Sequence, residues 1–496
     1  MPVLNSHLKA PMTTERTLQQ QVHERLVKAI LQGALKPHEP LPSSRELSEQ
    51  FGVSRNTVVL VYQRLVDDGY LTPVPRRGHF INEQYIKQQL SLRGDTRTAS
   101  LFEPEQNAGI WEKRFAIRPT AWQNITKPAN WRDYPYPFIY GQVIPDKISA
   151  ARWRDCSRFA GTSRHVAAWV TDQVDSDDPI LVEQILTQIL PGRGIKASPE
   201  EVIVTVGAQN AIYLVACLLT QASTVVGIES PGYVDAFNIF RSTGASLKPL
   251  RIDASGLVLG QQLDGCDLIY VTPSHQAPTS VTLGLDRRLK LIEQARADDF
   301  LILEDDYEHE LNYLGAPHAA LKSYDNADRV IHVGSLTKTL FPGLRLGFIV
   351  APRAVISELR ALRRLMYRHP SALDQRAMAI FIAEGHLDGH IRRARTQLAA
   401  KWSLMLNEIS RRMPEIYCRE TSGGSSLWLT LPKGVESWTV QKEAARRGVL
   451  IEPGDVHFLG DLPERRSIRA GFAAIDKDKI ATGIGLLAEA IAASRQ

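Results

Sequence analysis

The chain contains few cysteines, and none of them is placed for cross-linking or metal binding. Cys156, Cys217, Cys266 and Cys418 are far apart in the 496 residues and have no accompanying metal-ligand spacing. Disulfide scaffolds and zinc modules depend on closely spaced cysteines. The pattern therefore argues against both, and it predicts free thiols in a reducing compartment.

Long hydrophobic stretches are also missing. The longest fully apolar run is Ala211–Leu219, whereas a helix that crosses a bilayer needs about 20 such residues. The first residues, MPVLNSHLKAPM, lack the apolar centre of a secretory signal peptide. We therefore expect a cytoplasmic location and no membrane partner.

The composition is that of a globular chain long enough for more than one domain. Hydrophobic residues make up 44% and charged residues 23%, with a formal net charge of +5. Residues 1–81 hold ten Lys or Arg and seven Asp or Glu, so over half of the basic excess lies in this short part. This surplus indicates an anionic partner for the N-terminal region.

Residues 18–65 show the spacing of three short helices. Apolar residues repeat every four positions over Leu18–Ile30, and Gly33 follows as a stop signal. Ser43 or Ser44 can cap the second helix, and Ser54 can cap the third. In the third helix the apolar residues follow the i, i+3, i+4, i+7 pattern, which buries one face and exposes the other.

The exposed first turn of the third helix carries Arg55, Asn56 and Thr57. A helix-turn-helix presents the N-terminal residues of its second helix to the major groove, where arginine can bond guanine and asparagine can bond adenine. Two extended runs, Leu71–Pro75 and Gly78–Ile81, then predict a hairpin wing. An alternative at this point is a small helical domain that packs on another protein.

The stretch LPSSRELSEQFGVSRNTV resembles the winged-helix domain of GntR-type regulators. The resemblance implies double-stranded operator DNA as the partner of a domain at residues 12–81, followed by a linker at 82–130. The DNA contacts that it implies are Arg45, Arg55, Asn56, Thr57, Arg77 and Gly78, with His79 as a further nomination.

A lysine dominates the second half of the chain. Lys338 lies in the polar turn of IHVGSLTKTLFPGLRLGFIV, between two apolar runs that predict buried strands. Desolvation disfavours the ammonium form of a lysine. An amine in this setting suits attack on a carbonyl, which is Schiff-base chemistry.

Other polar residues follow predicted strands of the same sheet. Ile302–Tyr307 predicts a buried strand that ends in acids, and Leu268–Val271 predicts a strand that runs into TPSHQAPT. Glu201–Val206 predicts a strand followed by Gly-Ala-Gln at a helix start, where free backbone N–H groups can bind phosphate. Because ligands of open α/β sheets bind at the carboxyl ends of the strands, we expect these residues to converge.

The motifs TPSHQAPT, EDDY, and GSLTK followed by FPGLRLGF resemble the fold-type I aminotransferase-like domain of the MocR group within the GntR-type regulators. The resemblance covers roughly the last three quarters of the chain. It implies an α/β protein with an N-terminal winged helix-turn-helix domain, and a C-terminal fold-type I aminotransferase-like domain at residues 131–496 that binds pyridoxal 5'-phosphate. It implies no metal.

The resemblance also implies a role for each residue of the cofactor site. Lys338 would form the Schiff base, and Asp305 would pair with the pyridine nitrogen, with the adjacent Asp306 left open as the alternative. Arg469 would bind the carboxylate of an effector. The remaining implied cofactor residues are Ala208, Gln209, Ser335 and Arg345 at the phosphate, Tyr233 and Tyr307 at the ring, and His275 or Gln276 at the ring edge.

Two functions are compatible with these residues. In the first, the protein is a regulator that senses an amino-acid-type effector by aldimine exchange at Lys338; in the second, it is a working aminotransferase with a DNA-binding appendage. The family resemblance favours the regulator and implies a head-to-tail homodimer.

The effector is suggested by a narrower resemblance. YPYPFIYGQ, DDPILVEQI and EHELNYLGAPHAALKS resemble the branch that controls ectoine utilisation, which implies a diaminobutyrate derivative. Asp235 stands where some relatives carry an arginine, and an acid there disfavours a second ligand carboxylate. Taurine-like and γ-aminobutyrate-like ligands remain alternatives.

Overall fold

The computed structural model describes residues 17–85, 111–141, 143–144, 146–315, 318–419, 421–460 and 465–495. The chain divides into two compact units, residues 1–115 and 116–496. Much of the predicted linker at 82–130 and the start of the predicted domain at residue 12 lie outside the described residues. Within the described residues, no helix combines the length and the hydropathy that a membrane span requires.

Over residues 17–81 the first unit forms three helices and a hairpin. Thr17, Ser43 and Ser54 cap the helices, each accepting a hydrogen bond from the backbone N–H three residues on. The apolar faces of the helices pack into one core together with the first and last residues of the hairpin. The elements are α1 Leu18–Leu31, α2 Ser44–Phe51, α3 Arg55–Asp67, β1 Leu71–Val74 and β2 Gly78–Ile81.

The second unit is built on an eight-stranded sheet of order β4-β11-β10-β9-β8-β5-β6-β7. Its central strands are parallel, whereas β11 runs antiparallel to both of its neighbours, and β7 runs antiparallel to β6. The strands are β4 Val202–Thr205, β5 Val225–Ser230, β6 Ser246–Asp253, β7 Gly256–Leu257, β8 Leu268–Val271, β9 Leu301–Asp306, β10 Val330–Ser335 and β11 Gly347–Val350.

Helices cover both faces of this sheet, so most of its strand residues are buried. Successive residues of β4 illustrate the alternation, because Ile203 packs into one apolar cluster while Val202 and Val204 pack into the cluster on the opposite face. The helices of this unit are α4 Lys147–Ala160, α5 Pro179–Gln184, α6 Gly207–Leu219, α7 Val234–Ser242, α8 Leu285–Ala297, α9 Arg353–Met366, α10 Ala372–Ala383, α11 His386–Arg412, α12 Ser437–Arg446 and α13 Ile480–Ala493.

A smaller sheet of order β12-β13-β16-β15 packs with α11, α12 and α13 into a separate apolar cluster. The short strand β3, which lies near the start of this unit, pairs in parallel with β14. The elements are β3 Tyr136–Pro137, β12 Tyr417–Cys418, β13 Ser426–Thr430, β14 Val449–Leu450, β15 Glu452–Pro453 and β16 Ser467–Gly471.

The segment that follows α5 differs from a regular helix. Residues 185–189 form a π-helical turn and Leu190–Arg193 a 3₁₀ turn, whereas the apolar pattern predicts one helix over Pro179–Leu190. Pro191 has no backbone N–H to donate, so the α-helical hydrogen-bond ladder cannot continue through it. This irregular end delivers Arg193 into the interior, where it contacts Asp306.

Candidate functional site

Lys338 lies in the turn that follows β10, at the carboxyl edge of the large sheet. Its backbone N–H donates to Ser335 Oγ at 3.2 Å, which fixes the turn. Its Nζ lies over the rings of Tyr140 and Tyr307, 4.4 Å and 5.5 Å from their centres. Burial lowers the pKa of Lys338 to about 8, against the opposing effect of Glu308. A substantial fraction of the amine is therefore neutral near physiological pH and able to act as a nucleophile.

The two adjacent aspartates at the end of β9 have different surroundings. Asp306 accepts hydrogen bonds from Arg193 Nε and Ser274 Oγ, both at 2.6 Å. Burial alone would raise the pKa of Asp306, but the Arg193 guanidinium overrides it and holds that pKa below its usual range. Both oxygens of Asp306 are thus engaged within the protein.

Asp305 faces the cavity and keeps one oxygen free. Its Oδ2 accepts from the Tyr270 hydroxyl at 2.7 Å, while its Oδ1 is buried without a hydrogen-bond partner. Burial raises the pKa of Asp305 to about 6. A buried, unpaired carboxylate oxygen calls for a donor such as a protonated ring nitrogen.

A cradle for an anion lies at the start of α6. Val206, the residue before the helix, makes no side-chain hydrogen bond to the helix start. The first backbone N–H groups are therefore available to a ligand. A Cβ at Gly207, whose φ is +75°, would come within 3.1 Å of the Arg345 guanidinium. A Cβ at Gly347 would come within 3.0 Å of the Ala208 nitrogen. Glycine at both positions lets the guanidinium and the helix start approach one space, which suits a phosphate group.

The aromatic wall of the cavity is formed by Tyr233 and Tyr307. The Tyr233 hydroxyl donates to Asp235 Oδ2 at 3.0 Å. Burial, first of several causes, raises the pKa of both tyrosines well above the ordinary value. Both therefore remain neutral phenols over the whole physiological range.

Arg469 lies on β16, and its side chain is 2% exposed. Its Nε donates to Ser426 Oγ at 3.2 Å, and its Cζ lies 3.3 Å from the centre of the Tyr140 ring. No carboxylate among the described residues forms an ion pair with it. Burial raises the pKa of Glu452, which lies opposite Arg469 on β15, and the Arg469 charge opposes this effect. An arginine with no direct ion pair can bind the carboxylate of a ligand.

A single cavity, with about 620 Å³ of empty space, brings most of the predicted site residues together. Residues that the sequence did not nominate also line it, notably Tyr140, Ile212 and Ala277. Tyr140 belongs to an aromatic segment whose register gives no sign of which ring turns inward. The predicted residues in this cavity are Ala208, Gln209, Tyr233, Asp305, Tyr307, Ser335, Lys338, Arg345 and Arg469.

His275 and Gln276 do not line this cavity. His275 lies in a neighbouring one with Ser274, because its Nδ1 bonds the Glu308 carbonyl oxygen at 3.0 Å. The Gln276 amide donates to the Pro231 carbonyl oxygen at 2.8 Å, and its own oxygen accepts from Thr279. Ala277 of the same loop lines the cavity instead. The side chains of His275 and Gln276 stabilise the loop through these hydrogen bonds.

In the first unit, the predicted DNA contacts lie at helix starts and at the hairpin turn. Arg55 Nε donates to Ser44 Oγ at 3.2 Å, which brings the starts of α2 and α3 together. Arg45 and Asn56 are exposed there, whereas the Thr57 hydroxyl lies 2.8 Å from Ser54 Oγ.

The hairpin turn carries the remaining nominated residues. Arg77 packs against the Phe80 ring at 5.6 Å, and Gly78 has a φ of +104° that favours glycine. The Leu41 N–H donates to the His79 carbonyl oxygen at 2.8 Å, so the hairpin is tied to the segment before α2. The arrangement is that of a winged helix-turn-helix, and the individual base or phosphate contacts stay predictions.

Comparisons with known proteins match both units. The model of the bacterial regulatory proteins of the gntR family matches residues 18–81, and the model of aminotransferase class I and II matches residues 176–487. The HTH-type transcriptional regulator TauR of Rhodobacter capsulatus is 37% identical, with 96% of each chain covered. The probable rhizopine catabolism regulatory protein MocR of Rhizobium meliloti is 30% identical, covering 99% of this chain and 96% of that one.

Solved structures agree on the fold of the second unit. A kynurenine aminotransferase from Pyrococcus horikoshii superposes with a TM-score of 0.70 at 25% identity, covering 78% of this chain and 99% of that one. The sheet, its flanking helices and the smaller C-terminal sheet are thus those of a fold-type I aminotransferase.

The residues of the cavity fit pyridoxal 5'-phosphate, the cofactor of the aminotransferase class I and II family. The unpartnered Asp305 Oδ1 matches a protonated pyridine nitrogen, the cradle at Gly207 and Arg345 matches a phosphate, and the desolvated Lys338 amine matches an aldehyde. The chain belongs to the MocR-type regulators, in which a GntR-family helix-turn-helix domain is fused to an aminotransferase class I and II domain.

Proposed function

We propose that the protein is a DNA-binding transcriptional regulator whose aminotransferase-like domain senses an amino-acid-type effector at Lys338. One observation carries this proposal: a complete cofactor cavity and a winged helix-turn-helix occur in one chain, and the named regulators match that chain over nearly its whole length. A free-standing aminotransferase has no need of a recognition helix.

The side chains of the cavity divide the work of holding the cofactor. When bound, pyridoxal 5'-phosphate supplies an aldehyde that condenses with primary amines. Arg345 and the start of α6 would hold its phosphate, and Asp305 would keep its ring nitrogen protonated. Lys338, with a pKa of about 8, supplies an amine that an effector amine can displace at moderate pH.

The effector would be recognised through charge. Arg469 is available for its carboxylate. Asp235 accepts a hydrogen bond from Tyr233 in the cavity wall, so a negative charge lies close to the cavity at this point. These two features support an effector with one carboxylate and an additional amine, such as a diaminobutyrate derivative, in line with the narrower resemblance to regulators of ectoine utilisation.

The test is a spectral titration followed by DNA binding. The protein loaded with pyridoxal 5'-phosphate is titrated with 2,4-diaminobutyrate, its Nα-acetyl derivative, taurine and γ-aminobutyrate, and the cofactor absorbance is recorded. Binding to DNA selected in vitro is then compared with and without the best compound. We expect the compound to alter DNA binding by wild-type protein and to have no effect on Lys338→Ala.

Two results would contradict the proposal. One is conversion of the cofactor to pyridoxamine phosphate with one equivalent of keto acid, followed by repeated turnover when a second keto acid is supplied as amino acceptor, with no change in DNA binding; this would indicate a working aminotransferase. The other is DNA binding that ignores every compound that alters the spectrum.

The assembly is a separate part of the proposal. Family resemblance supports a head-to-tail homodimer, which light scattering of the purified protein measures directly. A regulator of operator DNA would act in the cytoplasm, where the bacterial chromosome lies.

A further inference from the structure

The Tyr140 ring contacts both cationic groups that an amino-acid effector has to reach. Arg469 Cζ lies over the ring 3.3 Å from its centre, and Lys338 Nζ lies over it at 4.4 Å. At 3.3 Å the ring covers the guanidinium directly, so a ligand group cannot approach Arg469 from the side that the ring occupies.

The Tyr140 ring makes a direct contact with the Arg469 guanidinium. The guanidinium makes a hydrogen bond to the neutral Ser426 hydroxyl and has no carboxylate partner among the described residues. A desolvated cation on an aromatic face is stabilised by the ring quadrupole. The ring and a ligand carboxylate therefore compete for one arginine.

The backbone around Tyr140 is held in place, so the ring can move without it. The Phe138 N–H donates to the Leu450 carbonyl oxygen at 2.9 Å, and the Phe138 carbonyl oxygen accepts from Gly471 at 3.2 Å. The Tyr140 N–H donates to Glu452 Oε1 at 3.2 Å. Rotation about the Cα–Cβ bond is the movement that these bonds leave free.

The segment before Tyr140 contacts the cavity a second time. We call residues 122–140 the strap. Asn124 Nδ2 donates to Asp235 Oδ1 at 3.0 Å, and the other oxygen of Asp235 accepts from the cavity residue Tyr233. Lys127 Nζ donates to the Tyr140 carbonyl oxygen. Asp235 and Lys127 thus connect the strap to the cavity.

We propose that the Tyr140 ring covers the carboxylate site at Arg469 and that an effector must displace it, so that the ring responds to an anionic effector and not to a plain amine. This inference rests on the proposed function, and it adds the residue that selects for the anionic group. An amine without a carboxylate can replace Lys338 while the ring stays on Arg469. A carboxylated amine has to move the ring.

The test compares two probes of similar size, γ-aminobutyrate and n-butylamine, on protein loaded with pyridoxal 5'-phosphate. The measured quantity is the ratio of their apparent dissociation constants, read from the cofactor absorbance. In Tyr140→Ala we expect the preference for γ-aminobutyrate to rise about tenfold, which is about 1.4 kcal/mol. Tyr140→Phe keeps the ring and loses the hydroxyl, so its ratio should equal that of the wild type.

If Tyr140→Ala does not fold, Tyr140→Leu supplies a non-aromatic side chain of substantial volume and should show the same direction of change. NMR of the Tyr140 ring in protein with labelled tyrosine gives a second readout, which should change with γ-aminobutyrate and stay constant with n-butylamine. An unchanged or reduced preference in the alanine and leucine variants overturns this inference alone. Spectra that respond to neither probe in any variant overturn the proposed function as well.

Discussion

The adjacent carboxylates Asp305 and Asp306 allow a prediction in which two isosteric substitutions have opposite effects. Asp306 and Arg193 form a fully buried ion pair at 2.6 Å. Asp306→Asn leaves the guanidinium without its counter-charge, and breaking a buried pair in this way costs about 3–5 kcal/mol. For a unit of this size the melting temperature should fall by on the order of 5–10 °C.

Asp305→Asn should leave the cofactor-free protein at least as stable as the wild type at neutral pH. Raising the pKa of Asp305 from 3.8 to about 6 means that its ionised form costs about 3 kcal/mol in the folded state. This cost is absent below about pH 4, grows between about pH 4 and 6, where only the unfolded chain is ionised, and is constant above about pH 6. The asparagine amide removes that cost, although its N–H₂ must find a partner in the cavity.

The two substitutions should affect cofactor affinity in the reverse order, with Asp305→Asn losing more affinity than Asp306→Asn. Asp305→Asn removes the charge that would pair with the ring nitrogen, and hydrogen bonds to charged groups are worth about 1.5–3 kcal/mol, so affinity should fall roughly 10- to 100-fold. Thermal unfolding of the cofactor-free variants and absorbance titration with pyridoxal 5'-phosphate measure both effects. The reasoning fails if Asp306→Asn keeps its stability and loses the cofactor while Asp305→Asn binds it as the wild type does.

Three further substitutions test the rest of the site and the DNA-binding unit. Lys338→Gln should leave no cofactor attached to the protein after borohydride reduction. In the wild type, the rate at which pyridoxal 5'-phosphate attaches should rise with pH through about 8, as the Lys338 amine loses its proton. A rate that does not change with pH would contradict this. Arg345→Lys, which loses the planar paired donors, should weaken cofactor affinity about tenfold, and inorganic phosphate should compete less well than in the wild type. Arg55→Ala at the start of α3 should lower DNA affinity at least about tenfold and reduce the salt slope by about one, whereas Arg64→Ala near the end of the same helix is the matched control and should change neither; equal losses would place the interface elsewhere.

The sequence predicts the elements of the site better than the choice between neighbouring residues. Lys338 and the acids at the end of β9 line one edge of the sheet as predicted from the apolar runs next to them, because strand ends converge at one edge of a parallel sheet; their roles stay predictions. The choice between Asp305 and Asp306 was left open because both side chains of a doubly covered strand are buried. Arg193, 113 positions away in the chain, engages Asp306 and so favours Asp305 as the residue left for a ligand; local pattern contains no such information.

The ring-edge residues and Tyr140 show the same limit in loops. TPSHQAPT indicates a polar loop at the cavity, but hydrogen bonds to Glu308 and Pro231 turn His275 and Gln276 away from it. Those partners come from other strand ends, so the direction of each side chain depends on tertiary structure. Tyr140 lies in a segment without periodicity, where nothing in the sequence distinguishes an inward ring from an outward one.

The cavity holds several groups whose electrostatic needs the described residues do not meet. Asp305 Oδ1 has no donor, Arg469 packs on an aromatic ring and forms no close ion pair, and Lys338 is desolvated enough to lower its pKa to about 8. Each is a cost to the folded chain, and each is relieved by a group of the opposite character on a ligand. A chain selected for stability alone would pair or replace these residues, as it does with Asp306 and Arg193 a residue away. The unpartnered oxygen of Asp305 therefore marks the part of the sheet edge that is suited to bind a ligand. The Asp306–Arg193 ion pair beside it marks the part that stabilises the fold.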